Sequence, residues 1–207
     1  MSKIIFLNGC SSSGKTSVVG AIQHLSNEPW LTFGIDIFFK AMPPKYLPFG
    51  EKAQEGIQFI TKVDKEGFPI VEIQTGSYGK KVGKSIPKII KQLADDGHNL
   101  IIDEVIWEEK DLENYHATLK NHQVYFIKIT CDLPLMEERE KIRRDRAWGL
   151  ARDQYAKMEK LKWEYELQID TDKFRPFVSA KMILELIGEQ LPQQKIKSIS
   201  YGKKESS

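Results

Sequence analysis

Gly9-Cys10-Ser11-Ser12-Ser13-Gly14-Lys15-Thr16 has the spacing G-x-x-x-x-G-K-[ST]. These residue types at this spacing can hold a polyphosphate. A glycine-bounded loop turns backbone N–H groups toward the anion, and the helix that follows adds the partial positive charge of its N-terminus. Gly9, Cys10, Ser11, Ser12, Ser13, Gly14, Lys15, Thr16 and Ser17 are therefore candidate nucleotide-binding residues. Lys15 has the reach and charge for the terminal phosphates, and the Thr16 hydroxyl is a suitable Mg²⁺ ligand. A chance match in a Ser/Gly turn is the bland alternative.

Other candidates lie downstream. Asp36 ends an apolar stretch, Trp30 to Asp36, and serves either as a functional carboxylate or as the cap of a helix over 37–41. Asp103-Glu104 closes a second apolar run; an acid at such a place usually holds Mg²⁺, and Asp103 is the choice for it. Glu104 stays open between orienting a substrate and activating water. Arg139, Arg143 and Arg146 fall at i, i+4 and i+7 of a helix expected over 133–146, so three guanidinium groups share one face. That helix, polar nearly all round, is either a solvated helix laced with ion pairs or a mobile lid over a transferring phosphoryl group, with Gly149 as hinge. Arg144 and Arg152 are secondary candidates.

The elements needed to position these groups are legible as alternating patterns. Lys3 to Asn8 reads as a buried parallel strand, and Val18, Val19, Ala21, Ile22 and Leu25 recur at helical spacing after the loop. Further parallel strands are expected over 30–36, 99–104, 123–130 and 165–169. Helices are expected over 76–96, 108–121, 155–163 and 176–191. In open parallel sheets ligands bind outside the carboxyl ends of strands, which brings Asp36 and Asp103 to the loop's crevice. Residues 42–55 read as irregular loop. Ile57, Phe59 and Val63, then Ile70 and Ile73, flank the turn Asp64-Lys65-Glu66-Gly67, so a β-hairpin is expected there, as pocket wall or as surface decoration.

Composition bounds the rest. A chain of 207 residues, 41% apolar and 29% charged, suits one α/β domain over 1–192. Within it, 43–75 forms a substrate-side loop and hairpin and 133–152 a lid, while 193–207 is a flexible basic tail. A net charge of +2 gives nucleic-acid binding no support. Cys10 and Cys131 make no disulfide framework, and His24, His98, His116 and His122 sit at no metal-ligand spacing. The short stretch before the loop leaves no room for a signal peptide or membrane span, so a cytoplasmic protein is expected. Oligomeric state has no signature.

Asn8 to Lys15, then Glu28-Pro29-Trp30-Leu31-Thr32-Phe33-Gly34-Ile35-Asp36 and Ala41-Met42-Pro43, closely resemble the chloramphenicol phosphotransferase family. The likeness continues at Ile101-Ile102-Asp103-Glu104-Val105 and Arg144-Asp145-Arg146, and covers the chain to about residue 190. The resemblance implies a three-layer, doubly wound α/β fold: a parallel five-stranded sheet of the P-loop NTPase, adenylate-kinase-like (nucleoside-monophosphate-kinase-like) kind, here with an inserted hairpin. It implies transfer of the ATP γ-phosphate, with Mg²⁺, to a hydroxyl of a small antibiotic-like acceptor. It makes Asp36 the base, assigns lid arginines to Arg143 or Arg146 and less directly Arg139, and sets Asp170-Thr171 beside the adenine. The chain departs from the family over 45–73 and in its tail, which leaves the acceptor open. Three other readings stand beside it: a kinase for another metabolite or nucleotide, an ATPase switch built on Asp103-Glu104, and a non-catalytic nucleotide-binding module.

Overall fold

The computed structural model describes residues 1–143 and 147–189. Strand β1 (Lys3–Asn8) is followed by the loop and α1 (Lys15–Leu25), β2 (Trp30–Gly34) and α2 (Ile35–Lys40). Later come β5 (Asn99–Glu104), α5 (Glu109–Leu119), β6 (Gln123–Thr130), β7 (Leu167–Asp170) and α8 (Pro176–Leu186). β1 lies between β5 and β6 and is buried from Ile4 onward, which is why it is apolar on both faces. β2 and β7 take the edges, giving the order β2-β5-β1-β6-β7 with every neighbouring pair parallel.

Strand alternation divides the core in two. Ile5, Leu7, Ile101 and Ile127 point to one face, under Val18 and Ile22 of α1 and Ile183 and Leu184 of α8. Ile4, Phe6, Leu100 and Ile102 point to the other, under Ile86 and Ile90 of α4 (Ile86–Asp95) and Leu112 and Leu119 of α5. The result is the expected three-layer doubly wound sheet, with every strand of it ending on the side of the loop.

The hairpin is present as β3 (Ile57–Val63) and β4 (Pro69–Thr75), a separate two-stranded sheet. The Asp64 carboxylate makes its turn by accepting from the N–H groups of Glu66 and Phe68. Residues 42–55 carry one 3₁₀ turn, Pro44–Tyr46, and are otherwise irregular.

Several boundaries differ from expectation, each for a physical reason. The helix expected over 76–96 is two, α3 (Ser77–Gly83) and α4, because Pro87 lacks the N–H that an interior position needs and instead occupies the first turn of a new helix. The second strand stops at Gly34, so Asp36 lies in the first turn of α2 instead of at a strand end, and Gly34 takes the cap position. Helix α6 (Leu133–Ile142) is shorter than expected, and Arg143 already has extended backbone. It is not solvated all round, since Met136 and Glu140 are buried. The Glu140 carboxylate accepts from the N–H groups of Gly149 and Ala151, capping α7 (Leu150–Met158), which starts earlier than Tyr155. Arg144, Arg146 and the tail lie outside the described residues. Among the described residues, no helix is long and apolar enough to cross a membrane.

Candidate active site

The loop connects the end of β1 to α1, and its shape follows from two left-handed residues. Ser12 has φ 62° and Gly14 φ 96°, left-handed conformations of the kind from which concave nests of backbone N–H groups are built. Gly14 alone among the residue types takes this conformation without strain, and it lets Ser17 and Val18 bond to its carbonyl so that α1 starts at Lys15. Asn8 fixes the loop's base. Its side chain donates to the Ile106 carbonyl (2.8 Å) and accepts from the Ile106 N–H (2.8 Å), locking the end of β1 to the stretch after β5.

Three candidate groups meet at this point. The Lys15 ammonium donates to the carbonyls of Gly9 (2.7 Å) and Cys10 (2.9 Å) and lies 3.7 Å from an Asp103 carboxylate oxygen. The Thr16 hydroxyl donates to the other Asp103 oxygen at 3.4 Å. The hydroxyls of Ser11, Ser12 and Ser13 are buried and, within the described residues, have no hydrogen-bond partner. Buried polar atoms normally find one, so this cradle of hydroxyls, backbone N–H groups and one ammonium fits a phosphate group. One hydroxyl and one carboxylate within reach of each other likewise fit a hard divalent cation, which keeps most of its ligands for water and phosphate oxygens.

Glu104 separates from its neighbour. It points to the opposite face, is 2% exposed and accepts from the Tyr115 hydroxyl at 3.1 Å. Burial, reinforced by the Asp103 charge, pushes its carboxyl up to about 8, so it is protonated at neutral pH and has no base to offer. The two thiols are equally quiet: burial pushes Cys10 up to about 11 and Cys131 up to about 12.

Of the arginines, Arg139 lies against the loop. One guanidinium nitrogen reaches the Ser12 carbonyl (3.3 Å), the Cys131 sulfur (3.2 Å) and the Thr171 hydroxyl (3.3 Å). Thr171 in turn donates to the Ser13 carbonyl at 2.7 Å. Asp170, beside it, is held below the usual carboxylate range by its bond to Lys173. A cavity of about 180 Å³ opens here, lined by Cys10, Ser13, Thr130, Tyr155 and Asp170. Arg143 is exposed at the end of α6. Asp36 is exposed on α2, just beyond Gly34, whose partner across the sheet is Asp103.

Sequence reading missed Gln154 and gave Arg152 only a secondary place. Gln154, 3% exposed, accepts from the Ser11 N–H at 2.6 Å. Arg152 bonds Glu137 (2.6 Å) and Asp64 of the hairpin turn (3.3 Å) and covers the Phe68 ring at 4.1 Å. Gln154 falls just before the helix expected from Tyr155, and nothing local signals that Arg152 reaches the hairpin.

A family model described as chloramphenicol phosphotransferase-like protein matches residues 2–187. Two Mycobacterium tuberculosis proteins, from strains CDC 1551 / Oshkosh and ATCC 25618 / H37Rv, carry the provisional name O-phosphotransferase. Each is 31% identical over 173 residues, 82% of this chain and 75% of its own length. Among solved structures, a Janibacter sp. HTCC2649 sugar kinase has TM-score 0.59 at 16% identity, covering 91% of this chain and 96% of its own. The Deinococcus radiodurans tunicamycin resistance protein has TM-score 0.60 at 17% identity, covering 92% and 98%. At such identities these likenesses speak for the fold.

Proposed function

The chain belongs to the chloramphenicol phosphotransferase-like family, and from that membership we propose that it is an ATP-dependent O-phosphotransferase that moves the γ-phosphoryl group to a hydroxyl of a small molecule. A chloramphenicol-like antibiotic is the acceptor class to test first. The observation that carries this reading is the convergence of Lys15, Thr16 and Asp103 on a loop with three orphaned serine hydroxyls.

Phosphoryl transfer asks a protein for positioning and for charge neutralisation. Lys15 leaves its two carbonyl partners for phosphate oxygens, a modest exchange of neutral acceptors for charged ones. Thr16 and Asp103 are the residues that would hold Mg²⁺, whose charge, when bound, neutralises that of the phosphates. Asp36 takes the acceptor's hydroxyl proton; its position on α2, beyond the strand paired with Asp103, supports this role. Arg143 or Arg146, and less directly Arg139, supply the positive charge that the transferring group needs, and Asp170 and Thr171 flank the base.

The ATPase-switch reading loses its motivation, because Glu104 faces Tyr115 in the core with its proton retained. The test is direct: incubate the protein with Mg²⁺, ATP and a panel of alcohols that includes chloramphenicol, and measure product mass. Gain of one phosphoryl group by any member supports the reading, and by chloramphenicol the narrower one. ATP hydrolysis that no acceptor accelerates overturns it.

A further inference from the structure

We propose that the Gln154 carboxamide is a built-in occupant of the phosphate loop, which an incoming triphosphate has to displace, and that α7 ties this displacement to the hairpin. The inference rests on reading the loop as a triphosphate site.

The first half follows from one N–H group. Ser11 lies inside the loop, and its N–H donates to Gln154 Oε1 at 2.6 Å, with Ser11 8% and Gln154 3% exposed. A carboxamide oxygen is the same kind of acceptor as a phosphate oxygen, and one N–H cannot serve both well. Elsewhere in the loop the partners are the loop's own backbone, as for Lys15 on the Gly9 and Cys10 carbonyls, or, among the described residues, none, as for the three serine hydroxyls. Gln154 therefore supplies an acceptor to a buried loop N–H that would be costly to strand in the empty protein.

The second half follows from what else α7 holds. Met158, one turn on from Gln154, brings its sulfur to 3.4 Å from the Cys10 sulfur, so α7 lies along the loop. Arg152, two residues before Gln154, holds Asp64 and Phe68 of the hairpin. At the helix start, Gly149 accepts from the Val71 N–H at 3.1 Å. A Cβ on Gly149 would lie 2.5 Å from the Pro69 carbonyl, and its φ of 93° already demands glycine. Helix α7 is thus tied to the hairpin near both ends, through Gly149 and Arg152 and through Lys157 to Glu72, and to the loop through Gln154 and Met158. A short helix moves as a unit, so withdrawing Gln154 pulls on the hairpin. By linkage, whatever the hairpin contacts then changes nucleotide affinity, and the reverse.

The test is titration calorimetry of AMPPNP with Mg²⁺ on the wild type, Gln154→Met and Gln154→Ala, with folding checked by circular dichroism. Removing one neutral hydrogen bond from the empty state should tighten AMPPNP binding about threefold to tenfold in both variants, without raising the melting temperature of the free protein. Gln154→Met keeps the bulk against the loop, so it decides the matter should Gln154→Ala fail to fold. Wild type that binds while a folded variant binds equally or more weakly overturns the proposal and leaves the function standing. Wild type that binds no nucleotide overturns both.

Discussion

The loop end of the sheet and the hairpin side of the molecule are built by different physics. At the loop, the base is set by neighbours in the sheet: Asn8 locks β1 to the turn after β5, and Asp103 is registered against Leu7 of β1 and Gly34 of β2. The hairpin forms its own sheet and is held by long side chains reaching across the molecule, Arg152 to Asp64 and Lys157 to Glu72. The first arrangement suits a ligand that never changes, a phosphate chain. The second suits a wall that can be re-cut for different acceptors at little cost to the core.

If the division is real, variants should separate nucleotide binding from transfer. The largest effect is expected for Asp36→Asn, which removes a proton acceptor and keeps the shape: turnover should fall about 10²–10⁴-fold while AMPPNP affinity holds. Near-normal turnover would remove Asp36 from the chemistry. Lys15→Ala should instead lose both at once, with turnover down by about 10²–10³-fold and AMPPNP binding too weak for calorimetry. Intact nucleotide affinity in that variant would contradict the assignment of the loop.

Glu104 offers a check on the core beneath the site. Its carboxyl is pushed up to about 8 in the folded protein, against an ordinary value near 4.5. Between these values the native state keeps a proton that the unfolded chain has released. The stability it contributes is full below about 4.5, falls as pH rises, and levels off above about 8. Glu104→Gln keeps an acceptor for Tyr115 and removes the titration. Chemical unfolding across that window should therefore show a shallower decline, by on the order of 1 kcal/mol per pH unit. Parallel wild-type and variant curves would mean that Glu104 is charged in the native protein.

The same contrast explains what was legible beforehand. Lys3–Asn8 and Asn99–Glu104 announce themselves because a central parallel strand must be apolar on both faces, and the loop because its conformation allows few residue types. Local pattern fails where a residue is stabilised by something far along the chain. Glu140 looks like one more charge on a polar helix, yet its carboxylate caps α7 and is buried. Gly149 looks like a hinge, yet it is seated against Pro69. Pro87 looks like an interruption and is a beginning. Asp36 was displaced from strand end to helix because the strand-ending residue, Gly34, carries no hydrophobic signal.

The smallest effect tests whether the two halves communicate. The Val71 N–H belongs to the hairpin and bonds to Gly149 at the head of α7, so its hydrogen exchange reports on that joint without need of a known acceptor. If Gln154 must leave the loop for nucleotide to enter, AMPPNP should speed Val71 exchange about fivefold, the low end of ordinary coupling between sites. Arg152→Met keeps an apolar stem over Phe68 and cuts the ties to Asp64 and Glu137. In that variant Val71 should exchange faster from the start and respond to AMPPNP by less than the wild type does, because one of the ties between α7 and the hairpin is cut while the Gly149–Val71 and Lys157–Glu72 ties stay. An equal response in both proteins would mean that the two halves share a molecule without sharing a mechanism, since the bridge through α7 is what distinguishes a coupled pair from two adjacent sites.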